Sequence, residues 1–196
     1  MKLAEVLEEE PQSIPSLDRN EVQKASNYCL QNINSAKEIE KLDDDASLYQ
    51  LEDGGTGYYF VYDISEPVKS RVVYFVKYHV VEFDQSLSPS KAIRQVLVWR
   101  NKDNHASTKV ANKVFWDILW PKYKCLASDS QQTEKGKNFW SFVVKEALDK
   151  KLTVRVINTN DKTFIDVKSN AEFKKQIPST WGNANWFQRM IVVIFK

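Results

Sequence analysis

Cysteine and histidine are scarce in this sequence, with two residues of each among 196. Cys29 and Cys125 lie far apart in apolar stretches, and neither belongs to a CxxC motif or to a cysteine–histidine spacing. Structural zinc sites and redox pairs depend on such spacings. We therefore expect two inert thiols and no metal site.

Long apolar runs are also absent. A helix needs about 18 or more consecutive apolar residues to span a bilayer, and the sequence has no stretch of this length. The first residues, MKLAEVLEEE, lack the apolar segment of a secretory signal peptide. These features predict a cytoplasmic protein without a membrane partner.

The composition is typical of a globular protein, with 42% hydrophobic and 28% charged residues. The charge, however, is unevenly distributed. Residues 1–53 contain 5 basic and 13 acidic residues and the remainder contains 23 and 13, so the net charges are −8 and +10. This split is typical of an acidic arm on a basic body, of a body that attracts phosphate-rich ligands, or of uneven surface charge without a partner.

The hydrophobic pattern predicts an N-terminal acidic helical segment over residues 1–45 and an α/β domain over residues 46–196. Residues 1–10 suit a short acidic helix, which Pro11 and Pro15 interrupt. From Asp18 to about Lys41, apolar residues recur at helical spacing. This spacing predicts a packed helix or a helix pair.

Residues 47–100 show period-two alternation, which predicts an antiparallel meander. Strands are expected over 47–53, 58–64, 70–84 and 91–101. The segment Gly54-Gly55-Thr56-Gly57 separates the first two strands. A glycine-rich segment can also bind phosphate, but a phosphate-binding loop continues with Lys and Ser or Thr and precedes a helix. Here the glycines precede a predicted strand, so a structural turn is favoured.

The second half predicts helices that alternate with strands. A helix is expected after an N-cap at Ser107 or Thr108, and Pro121 should end it. The following elements are a strand over 123–128, a helix over 137–151 and a strand over 152–158. A helix beyond Asn158 and a terminal strand over 183–196 come after them. The predicted fold class is α/β (α+β), with a mixed, mostly antiparallel central sheet flanked by helices.

The polar segment 128–140 links a strand end to a helix start and is the main candidate for binding chemistry. Unpaired backbone N–H groups and the helix dipole attract anions at such a position. Gly136 would let a phosphate approach, and Lys135 and Lys137 add positive charge. The competing interpretation is that Asp129 and Thr133 cap the helix, which stabilises it without any ligand.

This order of elements resembles the Gcn5-related N-acetyltransferase fold. The pyrophosphate loop of that family has the pattern Gln/Arg-x-x-Gly-x-Gly/Ala, and Thr133-x-x-Gly136-x-Asn138 shares its central glycine. The pattern Ser-Asp-x-x-Gln-Thr-x-x-Gly-x-x-Phe-Trp, from Ser128 to Trp140, is similar to acetyltransferase-like proteins of phages and prophages over residues 95–160.

The resemblance implies an enzyme that transfers an acetyl group from acetyl-CoA to a host protein or to a small amine. It places the cofactor against one strand end and the loop after it, at Cys125, Ala127, Ser128, Thr133, Lys135, Gly136, Lys137 and Asn138. Transfer needs a base that deprotonates the amine, and the candidates on the long strand are His79, Glu82 and Asp84. The alternative for His79 is a histidine on the sheet surface.

Two features favour a different function. The general acid of such enzymes is commonly a tyrosine, and no tyrosine follows Tyr123; both flanking positions of the glycine pattern also depart from the family. The alternative is a catalytically degenerate acetyltransferase fold that serves as a protein- or nucleic-acid-binding module. Nucleic acid is the less favoured partner because the lysines are spread along the chain.

Six tryptophans are a further feature of the sequence. Trp116, Trp120 and Trp140 lie beside apolar neighbours in predicted helices and should belong to the core. Trp181 and Trp186 flank a polar segment and are candidates for binding by stacking.

Overall fold

The computed structural model describes residues 19–89, 91–130, 132–181 and 190–196. The expected acidic helix over residues 1–10, the two prolines after it and Trp186 lie outside the described residues.

A large mixed sheet dominates the described part of the chain, so the predicted α+β class is confirmed. Its nine strands are β1 (Lys37–Lys41), β2 (Ala46–Asp53), β3 (Thr56–Asp63), β4 (Val72–Glu82), β5 (Lys91–Arg100), β6 (Cys125–Ala127), β7 (Thr153–Asn158), β8 (Thr163–Val167) and β9 (Met190–Phe195). Their order is β1-β2-β3-β4-β5-β6-β9-β7-β8. Strands β5 and β6 run parallel, and the other described registers are antiparallel, as expected for a mostly antiparallel sheet.

The described helices are α1 (Arg19–Gln31), α2 (Val110–Asn112), a π-helical stretch (Lys113–Leu119), α3 (Trp120–Tyr123), α4 (Glu134–Asp149) and α5 (Asn170–Trp181). Among these, no helix has the length and apolar character needed to cross a membrane. The chain divides into two compact units. The first unit contains Leu17–Val80 and Gln95–Ile118, and the described part of the second comes from Val81–Arg94 and Leu119–Lys196.

The first unit is built on the β2–β3 hairpin, which confirms the predicted meander at its start. Gly54 and Gly55 form the turn with φ values of 54° and 90°, which favour glycine. Asp53 pairs with Thr56 directly after this turn. Alternate strand residues share one face of a sheet, and on one such face the core gathers Ala25, Cys29, Leu51, Tyr58, Phe60, Val72 and Phe75.

The helix expected from Asp18 to Lys41 is correct for Arg19–Gln31 and wrong for Lys37–Lys41. The latter segment is β1, which pairs antiparallel with β2 so that Lys37 lies opposite Gln50. Its sequence, KEIEK, has one apolar residue between charged neighbours, a pattern that suits an exposed strand as well as a helix. Pairing with β2 is a tertiary interaction, and it decides the outcome.

The helix predicted near residue 110 is present, but both of its predicted ends are wrong. The Ser107 hydroxyl donates to the carbonyl oxygens of Asn101 and Asn104, at 2.9 and 2.7 Å, so Ser107 does not cap the helix. Lys109, with φ of 65°, precedes the first turn. The helix continues through Pro121 to Tyr123, because Pro121 lies in the first turn of α3, where its missing N–H is tolerated.

The second unit contains the predicted strand–helix–strand order as β6, α4 and β7. Strand β9 pairs antiparallel with both β6 and β7, so β6 and β7 are separated by one strand. The core of this unit gathers Leu87, Ala92, Cys125, Ala127, Ile157, Ile191 and Val193. The helix expected beyond Asn158 is α5, which begins at Asn170, and the unpredicted strand β8 lies between them.

Three tryptophans have the positions of core residues. Trp116 and Trp140 are buried, as expected from their apolar neighbours, whereas Trp120 is only half-buried. Trp181, a candidate for ligand stacking, is also buried, and its ring centroid lies 5.9 Å from that of Phe173.

Candidate functional site

His79 lies on β4 in the first unit and is half-buried. Its register partner is Thr56, and the Thr56 hydroxyl oxygen lies 2.9 Å from Nδ1 of the histidine. A cross-strand hydrogen bond of this kind stabilises the pairing of β3 with β4. The contact favours the interpretation of His79 as a sheet-surface histidine.

Glu82 and Asp84 belong to the second unit and are exposed. The Asp84 carboxylate accepts hydrogen bonds from the backbone N–H and the hydroxyl of Ser86, at 3.1 and 2.9 Å, and lies 3.5 Å from Nζ of Lys162. The backbone N–H of Ser86, then its hydroxyl and the Lys162 ammonium, lower the pKa of Asp84. A carboxylate with a lowered pKa is a weaker base, and this one has the role of a turn residue.

The strand predicted to lie against the cofactor is paired along both edges. Leu126 and Ala127 of β6 pair with Ile93 and Arg94 of β5, and the opposite edge of β6 pairs with β9. The backbone groups of β6 therefore lie inside the sheet. Cys125 is fully buried, and burial raises the pKa of its thiol to about 12, which agrees with an inert thiol.

Ser128 and Asp129 anchor the loop that follows β6. The buried Ser128 exchanges backbone and side-chain hydrogen bonds with Val192: its N–H donates to the Val192 carbonyl at 2.8 Å, and its hydroxyl accepts the Val192 N–H at 2.9 Å. The Asp129 carboxylate lies 2.6 Å from the Arg94 guanidinium. Asp129 was expected to cap α4; it forms this ion pair and accepts the Ser130 N–H at 2.8 Å.

Helix α4 begins with a cap from its own sequence. The Thr133 hydroxyl accepts the Gly136 N–H at 3.0 Å, which confirms the capping interpretation for Thr133. A Cβ atom on Gly136 would lie 2.3 Å from the side-chain oxygen of Gln132, whose amide donates to the Asp129 carbonyl at 3.2 Å. Gly136 thus accommodates a glutamine of its own chain.

The two lysines of this loop differ in exposure. Lys137 is buried, Lys135 is half-buried and the neighbouring Asn138 is exposed. A lysine buried in this way presents little of its surface to a ligand in solvent. The cap, the contact with Gln132 and the burial of Lys137 favour the capping interpretation over the predicted acetyl-CoA site.

Comparison with protein-family models, with curated proteins and with solved structures finds no match.

A different surface stands out in the second unit, at strand β8. Strand β8 is the last strand in the order of the sheet. It pairs with β7 without a bulge, from Thr163 opposite Asn158 to Val167 opposite Val154. Four of its five side chains are exposed, including Phe164 at 43% and Ile165 at 46%. Large apolar side chains rarely point into solvent on both faces of a strand.

Arg155 of β7 holds this strand in place. Its guanidinium forms two bonds with the Asp166 carboxylate, at 2.7 and 3.1 Å, and donates to the Leu87 carbonyl at 2.6 Å. The guanidinium carbon also lies 3.6 Å from the centroid of the Phe164 ring. The contacts balance the charge of Asp166 and fix the ring of Phe164.

Neither β8 nor the Arg155 cluster was predicted from the sequence. The segment TFIDV has the β-branched and aromatic residues of a strand, and this signal was available. The partner residues Leu87 and Arg155 are 68 positions apart, and no local pattern connects them.

Proposed function

We propose that this chain is a protein-binding module with an acetyltransferase-like fold, and that an extended segment of a partner polypeptide pairs along the outer edge of β8. The observation that carries this proposal is the combination of an edge strand with exposed Phe164 and Ile165. Strand addition to a sheet edge is an established mode of peptide recognition, in which backbone hydrogen bonds provide affinity and alternate side chains provide specificity.

The edge is suited to this role because the usual protections against pairing are missing from the strand itself. Edge strands are commonly blocked by a lysine, a proline or a bulge. Residues 163–167 contain no lysine or proline, and their register with β7 is regular. The charge of Asp166 is balanced by Arg155, so it repels an incoming strand only weakly.

The candidate catalytic groups support a binding function over acetyl transfer. Asp84 is held in a turn with a lowered pKa, and His79 contacts Thr56 across the sheet. The start of α4 is capped by Thr133, and Gln132 packs where a phosphate would approach Gly136. Each of these groups has a structural partner within its own unit.

Calorimetric titration of acetyl-CoA tests the enzyme alternative. We expect no binding up to roughly millimolar cofactor, a concentration at which even weak sites with free energies of about −4 kcal/mol are half-filled. The matched variant is Asn138→Trp, which adds bulk at an exposed position of the predicted cofactor loop and leaves the Thr133 cap in place. Tight binding that this variant abolishes would overturn the proposal.

Selection from a displayed library of random seven-residue peptides tests the edge directly. The protein should enrich peptides with alternating apolar residues, and Ile165→Lys should abolish the enrichment because a lysine blocks an edge strand. The matched control is Ile64→Lys, at a somewhat more exposed isoleucine of the first unit, which should leave the enrichment unchanged. Enrichment that survives Ile165→Lys, or a monomeric protein that enriches no peptide, contradicts the role of β8.

A further inference from the structure

We infer that the strand which pairs on β8 is β8 of a second copy of this chain, so that the protein forms a symmetric dimer through this edge. The inference rests on the proposed function because it uses the same edge, and it names the partner.

Antiparallel pairing of a strand with itself is compatible with two-fold symmetry, the commonest symmetry of protein dimers. With the axis at Ile165, this residue lies opposite its counterpart in the other copy. Phe164 then lies opposite Asp166, and Thr163 opposite Val167. Once the axis is placed at Ile165, the other pairs follow, because the residue numbers of each pair in an antiparallel ladder add up to the same value.

Each face of the paired strands is complementary in this register. On one face the two exposed Ile165 side chains meet at the axis and bury apolar surface. On the other face the Phe164 ring meets the Asp166 carboxylate of the other copy, which is already paired with Arg155 in two hydrogen bonds. No uncompensated charge is buried in either contact.

The charges near the ends of the ladder also affect self-association. The formal net charge of +2 is unevenly distributed along the chain, so the repulsion between two copies depends on the charges near β8. At each end of the ladder Lys162 would approach Lys168 of the other copy. Lys162 lies 3.5 Å from the Asp84 carboxylate, which offsets its charge.

This lysine pair offers a sharp test of the register. Lys168→Glu would place a carboxylate opposite Lys162 at both ends of the ladder. We expect it to tighten the dimer by roughly threefold to tenfold, since opposite charges across strands attract and like charges repel. A partner with an unrelated sequence would give no reason for a gain at this position.

Sedimentation equilibrium of the full chain measures these effects. The wild-type protein should show a concentration-dependent monomer–dimer equilibrium between roughly 1 and 200 µM, the range in which a weak interface of this size is sampled. Ile165→Lys should remain monomeric, Lys168→Glu should dimerise more tightly, and Ile64→Lys should match the wild type.

The outcomes separate this inference from the proposed function. A wild-type protein that stays monomeric, or a dimer that Ile165→Lys does not weaken, overturns the inference. If the monomeric protein still enriches displayed peptides through β8, the partner is another polypeptide and the proposed function stands. If it also fails to enrich peptides, both proposals fall.

Discussion

The loop before α4 and strand β8 belong to the same unit but differ in what they leave available to a partner. In the loop, polar side chains bind groups of the same chain: Thr133 caps the helix, and Asp129 forms an ion pair with Arg94. Strand β8 pairs one edge with β7 and leaves Phe164 and Ile165 exposed. A sequence motif marks where a ligand group fits, but only unsatisfied groups and exposed apolar surface can bind one.

The largest effect is expected from the residue that fixes the edge strand. Arg155→Ala removes the two bonds to Asp166 and the bond to Leu87, and we expect a loss of about 2–3 kcal/mol in the free energy of unfolding, since charged hydrogen bonds at a largely buried side chain are lost. Urea denaturation measures this loss.

The control for Arg155 is the exposed pair of Lys145 with Asp149, at 2.7 Å on α4. Lys145→Ala should cost less than about 0.5 kcal/mol, because exposed ion pairs contribute little. Equal losses in the two variants would mean that β8 is not held by Arg155, and the contrast between the edge and the loop would weaken.

A smaller effect tests why the loop has a glycine. Gly136→Ala should lower the free energy of unfolding by about 1 kcal/mol, because the added Cβ meets the buried Gln132 side chain. In a Gln132→Ala background the same substitution should raise it by about 1 kcal/mol, since alanine is the better helix former. Thermal or urea unfolding of the four proteins measures this coupling.

A glycine kept only for a phosphate would behave differently. In that case Gly136→Ala would stabilise the protein in both backgrounds, and the coupling with Gln132 would be absent. This result would favour the interpretation of the loop as an anion-binding site.

The smallest effect concerns the turn that leads into β8. Lys162 has φ of 52°, a conformation that glycine adopts without strain. Lys162→Gly should raise the free energy of unfolding by about 0.5 kcal/mol, despite the greater freedom of glycine in the unfolded chain. Lys168→Gly, at an exposed position without positive φ, should lower it, and a loss in both variants would contradict the strain at Lys162.

Local patterns predicted much of the fold because their causes are local. The Gly54-Gly55 turn, the alternation in β2 to β4 and the helical spacing in α1 and α4 each depend on neighbours a few residues away. Thr133 was recognised as a cap for the same reason, because its hydroxyl reaches only three residues along the chain.

Failures occurred where distant residues decide. Lys37–Lys41 was predicted to be helical and is a strand that pairs with β2. Asp129 was predicted to cap α4 and forms an ion pair with Arg94, 35 residues earlier. At the candidate site the neighbour is closer in the sequence: the side chain of Gln132, four residues before Gly136, lies where a Cβ on Gly136 would be.

The sequence by itself determined the class of the protein, the period of its elements and the residues suited to turns and caps, because these follow from short-range sterics and hydrophobic spacing. Only the tertiary structure decided which groups remain available to a partner. Availability depends on what the rest of the fold places beside each group: Val192 beside Ser128, β5 and β9 beside β6, and solvent beside Phe164 and Ile165.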